Sequence, residues 1–391
     1  MRIVIVGGGF GGVKAALELE KDRNFEVVLI SDKSHFLYYP TLYSTATGES
    51  HRESVVQLTE IFEARRVKLV EATMTGLDMN RKMVKTTEGE FHYDAVILAL
   101  GVVTTYFGID GLDTYSYSIK SHEEIKRFKK HLHDEITEDR HMDKNYVVVG
   151  AGPTGVELSS ALVGYLEELR VAHKVKRSKI RVKLVEAAPR VLPRMSESTS
   201  RRVLARLKDI GVDVQLGKTV EKQDNDSIII SGKDVPTETV VWTSGVANHP
   251  FYKEHDFPLA KNGRVAVDDN LMAFPDVFVI GDNADTQYTG LAQTALHDGI
   301  YVSRYLKAKV AKRHLPTYHP VKPPVLIPVG KAWALLEWGP LKIWGTIGAL
   351  IKSAAHIIGY RDVFPLGLAL GAWRSHLVRE EDCEVCLFAK K

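Results

Sequence analysis

Three features of this 391-residue chain predict an α/β protein with two Rossmann-like dinucleotide-binding units and a separate C-terminal region. A glycine turn, Gly7-Gly8-Gly9-Phe10-Gly11-Gly12, follows the apolar run Ile3-Val4-Ile5-Val6. A second turn of the same kind, Gly150-Ala151-Gly152-Pro153-Thr154-Gly155, follows Val147-Val148-Val149. The last stretch of the chain then changes composition. One G-x-G-x-x-G is a weak signal, because loose glycine patterns are common. Two of them, each between a strand and an amphipathic helix, imply two dinucleotide sites in one chain. Such a chain most simply moves electrons from one dinucleotide to the other.

The first unit reads as strand 2–6, helix 11–21 and strand 26–31. Gly7 permits the tight turn, Gly9 lets backbone approach a pyrophosphate, and Gly12 lets the helix pack close to the strand. The free N–H groups and positive dipole end of the helix then favour phosphate. An acidic residue is expected about 20 residues on, for the ribose hydroxyls. Ser31 occupies that slot and Asp32 follows it, so the ribose contact is divided between them. Strands are expected at 69–70, 83–86 and 93–101, the last ending at Gly101. A helix over 121–138 leads to the second turn, whose own helix runs to about residue 169. The next strand, 181–185, ends at Glu186, a carboxylate in the expected ribose position. Buried strands follow at 239–245 and 276–282. They end at Gly245 and at Gly281-Asp282. A further helix begins near 291–292.

At this length two or three domains are expected. The composition, 45% hydrophobic and 26% charged, is that of a folded globular protein. A formal charge of +3 without a basic arm argues against nucleic acid as a partner. Two cysteines cannot form a disulfide framework, which points to a reducing compartment. Met1-Arg2 running straight into a core strand reads as a start without a signal peptide. No uncharged apolar run reaches the ~18 residues of a spanning helix. Beyond residue 323, Trp333, Trp338, Trp344 and Trp373 stand in apolar stretches broken by Lys331, Lys342, Lys352, Arg361 and Arg374. That is the composition of amphipathic helices lying in a membrane interface. A helical cap or a homodimer interface is the alternative.

The order of first glycine turn, Gly101 segment, second glycine turn and Gly281-Asp282 resembles the two-dinucleotide-binding-domain flavoproteins over roughly residues 1–320. Finer motifs are similar to the type II NADH:quinone oxidoreductases. They are Leu37-Tyr38-Tyr39-Pro40-Thr41-Leu42-Tyr43-Ser44-Thr45-Ala46-Thr47-Gly48, Gly152-Pro153-Thr154-Gly155-Val156-Glu157-Leu158, and Ala292-Gln293-Thr294-Ala295-Leu296-His297-Asp298-Gly299. The resemblance implies FAD at the first turn. Its contacts would be Gly7, Gly9, Phe10, Gly12, Ser31, Asp32, Pro40, Thr73, Met74, Ala99, Gly101, Gly281, Asp282, Ala292 and Gln293. It implies NADH at the second turn, against Gly150, Gly152, Pro153, Thr154, Gly155, Glu157, Glu186 and Gly245. The second unit would be inserted into the first, with FAD-binding parts at 1–115 and 261–322 and the NADH-binding part at 116–260. Residues 323–391 would be the membrane-association region.

The reaction so implied is hydride transfer from NADH to FAD, then two-electron reduction of a membrane quinone. No proton is pumped, and the protein sits on the bilayer surface at the cytoplasmic face of the cell membrane. In the family, the Gln matching Gln293 borders the quinone pocket, and its amide offers donor and acceptor to a quinone oxygen. Glu157 contacts the nicotinamide end and handles protons. The helix from 291–292 aims its N-terminus at the flavin pyrimidine. His297 stands where the family usually carries a second Gln.

Other chemistries weigh less on these residues. A disulfide reductase needs a Cys pair after the first unit, and 38–50 holds none. A sulfide:quinone oxidoreductase needs reactive cysteines beside the flavin. The chain has only Cys383 and Cys386, near its end, read here as two reduced thiols and not a metal site. A soluble NAD(P)H-dependent reductase of rubredoxin or ferredoxin remains, as does an apoptosis-inducing-factor-like flavoprotein used as a binding module. Structural roles compete for two residues: a helix-dipole partner on the first turn for Glu157, and a helix cap for Gln293. Arg190, close to Glu186 in sequence, would lend some tolerance for NADPH.

Overall fold

The computed structural model describes residues 1–137, 142, 145–175 and 180–381. Strand β1 (Arg2–Val6), helix α1 (Phe10–Leu19) and strand β2 (Glu26–Ser31) make the first unit. Helix α1 starts one residue earlier than expected. It also stops earlier, because Lys21-Asp22-Arg23-Asn24 forms a polar turn. Strands β3 (Val67–Glu71) and β4 (Ala95–Leu98) join the same sheet. Helix α2 (His122–Thr137) leads into the second unit: β5 (Asn145–Val149), α3 (Pro153–Ala172) and β6 (Arg181–Glu186). Then come α4 (Glu197–Asp209), β7 (Asp213–Leu216) and β8 (Thr239–Trp242). Strands β9 (Met272–Phe274) and β10 (Val277–Val279) precede α5 (Ala292–Val310).

Two sheets result. The first has the order β9-β10-β4-β1-β2-β3, parallel except at β9. The second has the order β7-β6-β5-β8 and is parallel throughout. The first sheet is thus completed by strands that follow the whole second sheet in sequence. The chain crosses between them twice, and the crossings Val102–Thr104 and Val246–Asn248 pair antiparallel. Ile3, Val4 and Ile5 of β1 are completely buried. Such unbroken Val/Ile runs suit a parallel sheet covered on both faces. On one face Phe10, Val13 and Leu17 of α1 share a core with Tyr301, Val302 and Leu306 of α5. On the other, Val4, Val6 and Val28 pack with Val84, Tyr93 and Tyr252.

Two antiparallel three-stranded sheets, within 74–92 and 220–236, complete the units. Only the strand 83–86 among these was expected.

The C-terminal region departs from an all-helical reading. It opens with an antiparallel sheet of β11 (Val325–Pro328), β12 (Ala334–Trp338) and β13 (Leu341–Gly345). Helices α6 (Thr346–Val363) and α7 (Leu366–Ser375) follow. The strands are four or five residues long, too short for composition to separate from helix. Ile327, Val329 and Leu335 enter the core of the second unit beside α3. Tyr360, Val363, Phe364, Ala369 and Ala372 enter the core of the first. Among the described residues, no helix is long and apolar enough to cross a membrane. Cys383 and Cys386 lie outside the described residues.

Candidate dinucleotide cradles and the acid cluster beside them

The two glycine turns have the same local geometry. Gly7 and Gly150, the first of each, have φ of +119° and +105°, conformations that side chains resist. A Cβ on Gly7 would overlap Ala99 O, and one on Gly150 would overlap Ser244 Oγ. A Cβ on Gly12 would strike Gly7 O, and one on Gly155 would strike Gly150 O. The middle glycines differ: around Gly9 and Gly152 a Cβ would meet nothing within 4 Å. Outer glycines therefore close the backbone, and middle ones face open space. Neither α1 nor α3 has a side-chain cap, so their first N–H groups point into that space unpaired by a capping group. This is an anion cradle, present twice. Phe10 is buried against Phe36 and Tyr38, so only its backbone serves the first cradle. Pro153 and Thr154 are exposed at the mouth of the second.

The strand ends beside the cradles are not alike. Glu186 accepts hydrogen bonds from Ala151 N (2.7 Å) and Ala188 N (2.8 Å), which fixes its carboxylate against the turn. Ser31 holds the equivalent end of β2. It is buried, and its Oγ would be 2.6 Å from a Cβ on Gly8. Asp32 is exposed just beyond. Ala72 N donates to Ser31 O, which brings Thr73 to the same edge. Met74, however, is buried in the core, so only its backbone could reach a ligand. Arg190 is not free to meet a nucleotide phosphate: its guanidinium donates to Met195 O, Ser200 Oγ and Pro193 O.

Around the first cradle, the later segments converge. Gly101 N donates to Asn283 Oδ1 (2.8 Å), and Asn283 Nδ2 donates to Gly101 O (2.6 Å) and Asn248 Oδ1 (2.7 Å). Asn248 Nδ2, on the crossing strand Val246–Asn248, is buried with no partner. Gly281 N donates to Asp298 Oδ2, and Tyr318 OH donates to Asp298 Oδ1. Burial raises Asp298 to about 6 against the pull of these donors. Burial also raises Asp282, opposed by Arg264. Pro40 lies in a single 3-10 turn, Tyr39–Thr41. Beside the second cradle, Lys120 Nζ donates to Gly245 O and to Thr104 Oγ1. Asn283, Asn248, Asp298 and Lys120 escaped the sequence reading. Asp298 alone had a signal, sitting inside the Ala292–Gly299 motif.

Glu157 and Gln293, paired in the sequence reading, stand apart on different helices. Glu157 is the fifth residue of α3, beyond its first turn, so the helix-dipole role does not apply. Burial raises its carboxyl well above the usual range, and Lys352 of α6 opposes that rise. Lys352 Nζ donates to the Tyr43 hydroxyl. Burial lowers its ammonium, and Glu157, Glu53 and Glu49 hold it up. Glu53 is 2% exposed and accepts a hydrogen bond from Ser44 Oγ. Burial and the charge of Glu49 raise it too. One ammonium thus stands among three carboxyl groups, two of them with raised proton affinity. Glu49, Glu53 and Lys352 of this cluster border a cavity of about 630 Å³, lined also by Tyr43, His356, Trp333 and Trp373; Glu157 does not line it. Ala292 and Gln293 do not line it. Gln293 is exposed at the second position of α5, and the cap position is Leu291, so Gln293 is no helix cap. His297 Nε2 bonds to His319 O.

Comparisons place this geometry among known proteins. The profile of the pyridine nucleotide-disulphide oxidoreductases matches residues 1–299. A type II NADH:quinone oxidoreductase of Mycobacterium tuberculosis is 30% identical over an alignment 394 positions long, covering 92% of this chain and 85% of the relative. One from Staphylococcus haemolyticus is 26% identical, covering 78% and 82%. The solved structure of NDH2 from Plasmodium falciparum in complex with NADH superposes with a TM-score of 0.88 at 17% identity, covering 96% of this chain and 97% of that one.

Proposed function

The chain belongs to the pyridine nucleotide-disulphide oxidoreductases and, within them, to the type II NADH:quinone oxidoreductases, and on that footing we propose that it oxidises NADH and reduces a quinone through bound FAD. The observation that carries this reading is the pair of open cradles in a chain whose only cysteines are at 383 and 386. Among the described residues no cysteine stands beside either cradle, which leaves a small oxidant as the natural outlet for electrons. FAD, when bound, supplies the hydride acceptor and the donor to quinone.

The chain's own residues bind, orient and move protons. Residues 1–115 and 261–322 would hold FAD, residues 116–260 would hold NADH, and residues 323–391 would meet the bilayer. The first cradle would take the FAD pyrophosphate on the N–H groups of α1, with Ser31 and Asp32 to hold the ribose. Thr73, the backbone of Met74, Ala99 and Gly101 line the same cleft. Pro40, Gly281, Asp282, Ala292 and Gln293 would complete the FAD contacts. The second takes NADH on α3, with Glu186 at the adenosine ribose and Gly245 beside the nicotinamide. Glu157 holds a proton close to the nicotinamide end, and Lys352, Tyr43 and Glu53 pass protons to it from the cavity. That cluster supports proton supply because quinone reduction consumes two protons. Gln293 offers amide donor and acceptor to quinone.

Membrane contact is supported by the exposed side chains of the C-terminal region. Trp338, Leu341, Trp344, Ile347, Leu350 and Ile358 are between 43% and 72% exposed. So many large apolar side chains on one stretch mark a contact surface. An interface-bound sheet and helix pair fits them, and our reading sets it on the cytoplasmic face.

The test is steady-state turnover. NADH oxidation should depend on added short-chain quinone. It should be far slower with rubredoxin or ferredoxin as acceptor. Faster turnover with an iron–sulfur or rubredoxin carrier than with any quinone would replace this reading with a soluble carrier reductase.

A further inference from the structure

Helix α4 belongs to the second nucleotide-binding unit, yet it is bolted to the C-terminal sheet. Ser196 Oγ and Thr199 Oγ1, at its N-terminus, both donate to the carboxylate of Glu337 on β12. Lys342 Nζ of β13 donates to Ser198 Oγ (2.6 Å). The Arg202 guanidinium lies over the ring of Trp344, 4.2 Å from its centroid. Thr199, Ser200, Val203 and Leu207 are the buried face of α4. Its outer face carries Arg201 and Arg202, both exposed, the side chain of Arg201 to 75%.

The charge on this edge is one-sided. Helix α4 has four basic residues, Arg201, Arg202, Arg206 and Lys208, against Glu197 and Asp209. Glu197 lies 3.6 Å from Arg201, Asp209 is at the far end, and Glu337 is occupied by the hydroxyls of α4. Lys342 adds positive charge from β13, while Lys331, in the turn between β11 and β12, is paired with Glu168. This basic edge runs directly into the apolar surface. Trp344, which carries Arg202, is 43% exposed, and Ile347, three residues on, is 62% exposed. Tryptophan settles at the headgroup level of a bilayer, where lipid phosphates lie. A guanidinium stacked on such a ring is held at phosphate depth, with its N–H fork free for bidentate bonding.

We propose that α4 is part of the bilayer contact, and that Arg201 and Arg202 bind the phosphates of anionic lipids. The inference rests on the reading that the C-terminal face meets a membrane. It adds that the nucleotide unit itself touches the leaflet, and that the occupant is anionic. The contact becomes two-sided, with apolar residues of β13 and α6 in the interface and α4 along its edge. Such a contact fixes the protein's rotation on the surface as well as its depth.

The test uses the full-length, FAD-loaded protein. Co-sedimentation is measured with vesicles of phosphatidylcholine alone and of phosphatidylcholine with phosphatidylglycerol. Wild type should bind the mixed vesicles more tightly. The pair Arg201→Gln/Arg202→Gln should lose roughly tenfold or more on mixed vesicles, since each basic residue near an anionic surface is worth about fivefold. It should be unchanged on phosphatidylcholine, and unchanged in flavin content and rate of reduction by NADH. Arg201→Lys/Arg202→Lys should retain most of the anionic preference. Equal binding of wild type to both vesicles would overturn the inference while leaving membrane contact intact. So would an anionic preference undiminished in the Gln pair. Failure of wild type to bind either vesicle would remove the underlying reading as well.

Discussion

Lys352 on α6 donates its hydrogen bond to Tyr43, a residue just after the first unit, and so ties the C-terminal region to the wall of a cavity. The same ammonium opposes the raised proton affinity of Glu157 on α3. Three parts of the chain meet at one cation. Replacing it with Met should raise the affinity of Glu157 for its proton further, since burial then acts alone. The limb of the pH–rate profile governed by Glu157 should move to higher pH in Lys352→Met. An unmoved profile with lowered kcat would instead make Lys352 a purely structural partner.

Glu53 gives a stability prediction. Burial first, and then the charge of Glu49, hold its folded proton affinity above the ordinary carboxyl value of 4.5. A raised carboxyl favours folding while protonated. That contribution is lost as pH rises, because the unfolded state ionises first. Glu53→Gln removes this dependence and keeps an oxygen to accept from Ser44. The melting temperature of the variant relative to wild type should therefore climb from about pH 5 to about pH 8. A constant difference across that range would mean that Glu53 is ionised in the folded protein throughout.

Glu186→Gln should lower kcat/KM for NADH by roughly 10- to 100-fold, the equivalent of about 1.5–3 kcal/mol for hydrogen bonds to a charged group. Discrimination against NADPH should weaken, because the carboxylate that repels a 2′-phosphate is gone. The variant should not become an NADPH enzyme, since Arg190 is held by Met195 O and Pro193 O. Both nucleotides are compared in both proteins. A wild type indifferent to the 2′-phosphate would contradict the assignment.

Cys383→Ser/Cys386→Ser should keep near-normal NADH:quinone turnover. A loss beyond about 100-fold, roughly 2.7 kcal/mol of transition-state stabilisation, would bring back a thiol-based route.

What the sequence disclosed follows from how local each constraint is. The cradles were legible because each glycine acts within a few residues of itself: Gly12 against Gly7 O, and Gly155 against Gly150 O. Glu186 was singled out by its place at a strand end. The acid cluster was not legible, because Glu53, Glu157 and Lys352 come together only in the folded chain, and no spacing encodes them. Asn283 and Lys120 were missed for the same reason. In the C-terminal region, tryptophan and lysine pointed to an apolar surface, and Trp338, Leu341, Trp344, Ile347, Leu350 and Ile358 are exposed. The same composition hid the sheet β11–β13 and its burial against α3. Cutting the chain after Lys322 would therefore uncover both cores, which makes point substitutions on the exposed face the better probe of membrane contact.

The central claim is that the two cradles, alike in backbone, do different jobs. It is tested by reading the bound flavin spectrum of Gly9→Val and Gly152→Val before and after anaerobic NADH. Both side chains have room in the protein itself, since nothing lies within 4 Å of either position, so both variants should fold. Gly9→Val should be purified without FAD. Gly152→Val should carry one FAD per chain, yet its flavin absorbance should bleach with NADH at least about 100-fold more slowly than in wild type. Full FAD in Gly9→Val, or unimpaired bleaching in Gly152→Val, would contradict the account.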